Sequence, residues 1–359
     1  MSRTFTPSPL PFPLPRERVA RSSGYTPGEQ PRAHQKIIKL NTNENPYPPS
    51  PRVAEAIASF PCEVLRRYPS PMADRFREAA AALYGLSPAQ VLAGNGSDDI
   101  LNIIIRAYLD PGDVLAYPDP SYSLYPVLAD IHGVRVAPVA WEDGWTLPTE
   151  GLLRSGARVV FITNPNAPSG TVVPLRTLES FARAFSGLVL LDEAYVEFAE
   201  QSGLPLLASC PNVVLSRTLS KSYSLAGLRF GYALGAAEVM AELAKVKDSY
   251  NVDALSIAAA TAALSDQEYA RGTWEGVKGE RSRLVAELTA RGFDVIPSQT
   301  NFVFARPPRG DGGSLYAHLK QQGILVRHFD KPGLSDRIRI SVGTPEENTA
   351  LLAALPDPA

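Results

Sequence analysis

The chain has 359 residues, 45% of them hydrophobic, and a formal net charge of −2. That length admits about two domains with a large core, and the near-neutral balance removes any electrostatic case for nucleic acid or an anionic membrane. No apolar run approaches the roughly 18 residues of a membrane span, and Cys62 and Cys210 show no metal or redox spacing, so the expectation is a soluble cytoplasmic protein without a metal.

The first 35 or so residues carry proline at every second position from Pro7 to Pro15, which reads as an extended arm and breaks any signal-peptide helix. Tyr25 sits in a turn, Gly24-Tyr25-Thr26-Pro27-Gly28. A brief strand over 37–40 leads to Asn41-Thr42-Asn43-Glu44-Asn45-Pro46, a loop rich in side chains that bond to backbone. Helices are expected over 53–60 and 71–84, with Arg66-Arg67-Tyr68-Pro69 between them. The sequence shows no internal repeat.

From residue 91 onward, short apolar strands run into residues with chemistry. Val91-Leu92-Ala93 passes into Gly94-Asn95-Gly96-Ser97-Asp98-Asp99 and an apolar helix over 100–108. A glycine-rich turn opening a helix presents free amides and the positive end of the helix dipole, so Ser97 and Asp98 are candidate donors to a phosphate. The strand over 113–117 ends in Pro118-Asp119-Pro120-Ser121-Tyr122. A ring there can stack on a flat cofactor, and Tyr125, a turn further on, is less well placed. The strand over 159–163 ends in Asn164-Pro165-Asn166-Ala167-Pro168-Ser169-Gly170. Leu188-Val189-Leu190-Leu191 is apolar throughout, like a strand buried on both faces, and Asp192 follows at once.

The strand over 213–215 runs out into Ser216-Arg217-Thr218-Leu219-Ser220-Lys221. Lys221 stands in a turn among hydroxyl residues, with no carboxylate beside it. A partly desolvated ammonium loses its proton readily, and the free amine can attack a carbonyl to form a Schiff base. Ser220 and Arg229 can hold a phosphate by hydroxyl and forked guanidinium. An imine-forming lysine next to a phosphate site suggests pyridoxal 5′-phosphate, whose ring nitrogen needs a carboxylate against it. Asp192, at the carboxyl end of a buried strand, is placed for that role. Thus four apolar strands each end in a candidate: Tyr122, Asn166, Asp192 and Lys221.

Beyond residue 236, helices are expected over 236–247, 256–264, 269–292 and 314–322, and strands over 293–296, 301–305, 324–327 and 337–344. Alternation puts Arg337 and Arg339 on one face of the last strand, and Arg327 ends the one before it. The expected division is an arm over 1–35, a segment over 36–65 that joins the small domain, a cofactor-binding domain over 66–250 and a small domain over 251–359.

Thr218-Leu219-Ser220-Lys221, Asn43-Glu44-Asn45-Pro46, Arg67-Tyr68-Pro69, Asn164 to Gly170 and Arg339-Ile340-Ser341-Val342-Gly343-Thr344 resemble the motifs of class II aminotransferases of fold type I, in the family's order. The likeness runs from about Tyr25 to Thr344 and is greatest to the histidinol-phosphate branch of that family. Ala167 stands where Asn is common and Gly24 where Pro is common. The resemblance implies an α/β fold: a large domain with a mostly parallel sheet flanked by helices, plus a smaller α/β domain. It also implies a homodimer with shared active sites. By the same resemblance Asn166 and Tyr195 bond the cofactor's phenolic oxygen, and Tyr122 stacks on its ring. Tyr68 reaches the cofactor phosphate of the other subunit. Arg339 binds the substrate's anionic group, Arg327 joins it when that group is phosphate, Tyr25 reaches the phosphate and Asn43 lies at the substrate's edge. The implied reaction is transamination between a small amino donor and a 2-oxo acid, with histidinol phosphate and 2-oxoglutarate as the pair. An aromatic amino acid aminotransferase and a decarboxylase of an amino-acid phosphate are the alternatives within the fold. A non-catalytic binding protein is the alternative outside it, against which the intact Lys221, Asp192 and Arg229 argue.

Overall fold

The computed structural model describes residues 14–31 and 37–356, so most of the proline alternation lies outside the described residues. The described residues open with α1 (Glu17–Arg21), β1 (Ile38–Lys39), α2 (Pro51–Ala58) and α3 (Asp74–Tyr84). An alternating stretch follows: β2 (Val91–Gly94), α4 (Ser97–Tyr108), β3 (Val114–Asp119), α5 (Leu124–His132), β4 (Arg135–Ala140), α6 (Thr149–Arg154), β5 (Val159–Thr163), α7 (Leu175–Ala184), β6 (Leu188–Asp192), β7 (Val213–Thr218), α8 (Leu219–Ser222), β8 (Gly231–Leu234) and α9 (Ala237–Val246). The rest is α10 (Ala254–Ser265), α11 (Gln267–Ala290), β9 (Asp294–Ile296), β10 (Phe302–Arg306), α12 (Gly312–Gln321), β11 (Ile324–Leu325), β12 (Arg327–His328), β13 (Ile338–Ser341) and α13 (Pro345–Ala353).

The alternating stretch builds a seven-stranded sheet in the order β2-β8-β7-β6-β5-β3-β4. Its pairs are parallel except those made by β8, which runs antiparallel to both β2 and β7. Every residue of β5, β6 and β7 is buried, which is why those strands read as unbroken apolar runs. Alternate residues feed two cores. Val160, Ile162, Val189, Leu191 and Val213 pack with α3, α6, α7 and α10, whereas Val159, Phe161, Leu188, Leu190 and Val214 pack with α4, α5 and α9. This is a sheet with helices on both faces, as the family resemblance implies. Helix α10 lies against α2 and α3 and buries Ile257, Ala260 and Leu264 in the large sheet's core.

A second, antiparallel sheet has the order β12-β13-β10-β9. Val303, Ile338 and Ile340 from it pack with Leu284, Leu288, Leu315, Leu319 and Leu351 of the helices around it. The segment expected as one strand over 324–327 is two: β11 pairs with β1, and β12 with β13, on either side of buried Val326. Among the described residues, no helix is long and apolar enough to cross a membrane.

Candidate active site

The sheet order brings the four candidate strand ends together. Strands β7, β6, β5 and β3 are consecutive neighbours and all parallel, so Lys221, Asp192, Asn166 and Tyr122 emerge along one edge of the sheet. The carboxyl edge of a parallel sheet is where α/β folds place their ligands.

Asp192 is buried, and desolvation raises its pKa to about 6, although a hydrogen bond from Tyr125 opposes the shift. The Tyr125 hydroxyl donates to Oδ2 at 2.8 Å. Oδ1 is buried without a hydrogen-bond partner among the described residues. A buried carboxylate oxygen with no donor is costly unless a ligand brings one.

Lys221 lies not in an open turn but on α8, a single helical turn capped by Thr218, whose Oγ1 accepts from the Ser220 amide at 3.1 Å. Its Nζ donates to the Thr42 carbonyl at 2.8 Å. Burial, then the charge of Arg339, lowers its pKa to about 8, while Glu44 acts the other way. Glu44, paired with Lys39, is the carboxylate near Lys221 that the local sequence does not reveal.

Helix α4 starts at Ser97 with no side chain capping its N-terminus. Its N-cap Gly96 has φ +88, and a Cβ there would stand 2.7 Å from Arg229 Nη2. Gly231 is as confined: its Cβ would meet Gly96 C and Ser97 N at 2.4 Å. Two missing side chains thus let the guanidinium and the helix amides converge, an arrangement suited to a phosphate. Arg229 Nη1 reaches Ser220 Oγ at 3.5 Å, and Nη2 lies 3.5 Å from Asp98 Oδ2. The Asp98 carboxylate also accepts from the Tyr122 hydroxyl at 3.2 Å, so the acidic side chain is turned to protein partners.

Asn166 is buried. Its Nδ2 donates to Ser169 Oγ at 2.9 Å, and its Oδ1 has no partner among the described residues. The Tyr195 hydroxyl accepts from Asn43 Nδ2 at 2.9 Å. Asn43 Oδ1 accepts from Ser341 Oγ at 3.0 Å, so both ends of its side chain bond protein, and the geometry makes it a support for Tyr195. Asn43 has φ +57, a left-handed conformation that Asn tolerates.

The two candidate anion ligands come from the small sheet. Arg339 Nη2 donates to the Asn41 carbonyl at 3.2 Å, and its buried Nε has no partner among the described residues. Arg327 donates to the carbonyls of Thr26 and Pro27, both at 3.4 Å, so the arm crosses this pocket. Tyr25 meets the Tyr122 ring edge-on, with centroids 6.0 Å apart. Arg337 shares a face with Arg339 but pairs with Asp294 at 2.6 Å, away from the pocket.

Among the described residues, no hydrogen bond or ring contact joins Tyr68 to this constellation in its own chain. It is 80% exposed and stacks on Tyr250, centroids 4.4 Å apart. No local sequence signal marks Arg217 and Glu193. Arg217 Nε and Nη2 donate to Glu193 Oε2 at 2.9 and 2.8 Å, both residues buried. That pair ties the end of β7, next to Lys221, to the end of β6, next to Asp192.

These groups fit pyridoxal 5′-phosphate. An unpartnered carboxylate oxygen suits a protonated ring nitrogen, the Gly96–Arg229 cradle suits the phosphate, and Lys221 offers an amine of lowered pKa. Comparison with known proteins agrees. The profile of the aminotransferase class I and II family matches residues 35–355. A histidinol-phosphate aminotransferase of a Nostoc species is 46% identical over 342 residues, covering 95% of this chain and 97% of that protein. One from Geotalea uraniireducens is 47% identical over 340 residues, covering 95% and 98%. The crystal structure of histidinol-phosphate aminotransferase from Sinorhizobium meliloti in complex with pyridoxal-5′-phosphate superposes with a TM-score of 0.83 at 31% identity, over 90% of each chain.

Proposed function

We propose a substrate pair from one premise: the chain belongs to the aminotransferase class I and II family and is a pyridoxal-phosphate-dependent transaminase. The amino donor is histidinol phosphate and the acceptor 2-oxoglutarate, giving imidazole acetol phosphate and glutamate, a step of histidine biosynthesis. The observation that carries this reading is the cross-strand pairing of Arg327 with Arg339 beside the site. One forked guanidinium satisfies a carboxylate, whereas a phosphate dianion has the charge and oxygens for two. The relatives named for histidinol phosphate support the same donor.

When bound, the cofactor supplies a carbonyl that captures amines and a ring that takes up the electron pair released at the substrate carbon. The protein's part falls to named groups. Amides of Ser97 and Asp98, with Ser220 and Arg229, hold the phosphate. Tyr122 would cover one face of the ring, Asn166 and Tyr195 would address the phenolic oxygen, and Asp192 Oδ1 would keep a proton on the ring nitrogen. Lys221 Nζ would hold the cofactor at rest through its carbonyl carbon. Once freed, the same amine would take the proton from the amine-bearing carbon of the donor and deliver it to that cofactor carbon, as general base and then general acid. Arg339 binds the donor's phosphate and the acceptor's carboxylate in turn. Arg327 and Tyr25 serve the phosphate. Asn43 acts through Tyr195.

The functional unit is a homodimer in the cytoplasm, and Tyr68 reaches the cofactor phosphate of the neighbouring subunit. Its exposure, stacked on Tyr250, supports that reading. A panel of amino donors assayed with 2-oxoglutarate tests the substrate pair. Histidinol phosphate should be the best donor; a preference for phenylalanine or tyrosine would replace this reading with an aromatic aminotransferase.

A further inference from the structure

Behind Asp192 lies a row of three hydroxyl groups that the reaction above does not use. The Tyr125 hydroxyl donates to Asp192 Oδ2 at 2.8 Å. It also lies 2.7 Å from Thr163 Oγ1, which lies 2.9 Å from Ser121 Oγ. Counting protons fixes the directions. An ionised carboxylate only accepts, so the Tyr125 proton points at Oδ2. The phenol oxygen is then left to accept, Thr163 donates to it, and Thr163 in turn accepts from Ser121. Each hydroxyl proton in the row therefore points toward Asp192.

The row is rigid. Tyr125 is fully buried, and its ring meets Tyr117, Tyr122 and Phe161 edge-to-face. Thr163 is the last residue of β5, paired in register with Asp192 of β6. Because Oδ2 is occupied, Oδ1 is the oxygen left for a ligand. The electrostatics run the same way. Burial raises the Asp192 pKa, as do the charges of Asp98 from α4 and of adjoining Glu193, and the Tyr125 hydrogen bond is the largest opposing influence, ahead of the Ala194 backbone amide. The phenols of Tyr122 and Tyr195 also face this group.

We infer that Tyr125, backed by Thr163, is a positioning residue: it fixes the Asp192 carboxylate with Oδ1 turned to the cofactor's ring nitrogen. This rests on the role proposed above for Asp192. A tyrosine that merely satisfies its own buried hydroxyl would stabilise the fold and leave the ring nitrogen unaffected.

Tyr125→Phe keeps the ring packing and removes the donor; Thr163→Val removes the donor to Tyr125 and keeps the shape. The readouts are the nitrogen-15 shift of ring-labelled cofactor bound to each protein, and kcat separately from KM, with Asp192→Asn as reference. In wild type the ring nitrogen is protonated at about pH 8, well above the ordinary carboxylate range. In Tyr125→Phe we expect that signal to move toward the unprotonated value. In the same variant kcat falls roughly tenfold or more, the scale of one hydrogen bond to a charged group, while KM stays within about twofold. Thr163→Val moves both in the same direction by less. A wild-type nitrogen shift in Tyr125→Phe, alongside a lost proton in Asp192→Asn, overturns the inference and leaves the Asp192 reading intact. A ring nitrogen still protonated in Asp192→Asn overturns that reading, and the inference with it. If Tyr125→Phe does not fold, Thr163→Val decides, and a wild-type shift there overturns the inference.

Discussion

Arg327 and Arg339 face one another as Cα partners on the antiparallel strands β12 and β13. Like charges directly opposed across a pair of strands are destabilising. Here both guanidiniums also lie over the ring of Phe329, 5.5 and 5.4 Å from its centroid. Burial lowers the Arg339 pKa and the charge of Arg327 lowers it further, so Arg339 is harder to keep charged beside its neighbour. An anion between them attracts both guanidiniums and offsets that repulsion.

Arg327→Met tests what the anion is. Removing one member of a buried charge pair costs about 2–5 kcal/mol; Arg327 is half-buried, so the lower end sets the floor, and kcat/KM for histidinol phosphate should fall roughly thirtyfold or more. Phenylalanine or tyrosine, offering only an α-carboxylate, should suffer much less. Equal losses on both kinds of donor would argue against a phosphate site.

Lys221 makes a prediction about pH. Only the neutral amine captures a carbonyl, and burial with Arg339 nearby lowers its pKa to about 8. The apoenzyme's rate of covalent capture of pyridoxal 5′-phosphate should therefore rise about tenfold per pH unit below that value and level off above it. Stopped-flow absorbance reads this directly. A rate still climbing to about pH 10, where an ordinary lysine titrates, would show that the fold does not tune this amine.

The Arg217–Glu193 pair predicts a large effect on stability. Glu193 Oε1 also accepts from the Gly203 amide, so the carboxylate is bonded at both oxygens. Glu193→Gln removes both hydrogen bonds to a carboxylate from buried Arg217 and leaves it only the Glu197 charge and the Tyr84 ring, and breaking a buried pair in this way costs about 3–5 kcal/mol. Urea unfolding of the apoenzyme should show a loss of that size. A loss below about 1 kcal/mol would mean that solvent reaches the pair.

What the sequence disclosed depended on how local each signal was. Strands β5, β6 and β7 are buried on both faces, so their apolar runs and the chemistry at their ends could be read directly, as could the resemblance that the family match over 35–355 bears out. The order of the strands could not. Strand β8 follows β7 in the chain yet inserts antiparallel between β2 and β7, a choice made by tertiary packing. Glu44 reaches Lys221 across 177 positions of sequence, the difference of their numbers, and no local pattern announces it. The sequence presents Tyr125 only as a less well placed stacking ring. Its hydroxyl matters because α5 carries it back toward Asp192, a contact between residues 67 apart. Arg217 and Glu193 resemble ordinary charges at strand ends, since nothing local tells which charges a fold will bury.

Mixing subunits tests whether Tyr68 serves a neighbouring site. If Tyr68 serves its neighbour, Tyr68→Phe and Lys221→Ala damage different halves of a site. A heterodimer of the two variants then carries both lesions in one site and none in the other. Provided Tyr68→Phe alone is strongly impaired, exchange of subunits should restore activity toward one intact site per heterodimer. No recovery would place Tyr68 outside the neighbouring site.

The first half-reaction tests the central claim most directly. Cofactor-loaded enzyme is mixed rapidly with histidinol phosphate, no acceptor present, and the visible absorbance of the lysine-bound cofactor is followed. The band should bleach, with a second-order rate constant at least about tenfold above that for phenylalanine, the discrimination expected of one additional charged contact. A band that persists with histidinol phosphate, or bleaches faster with phenylalanine, would contradict the account.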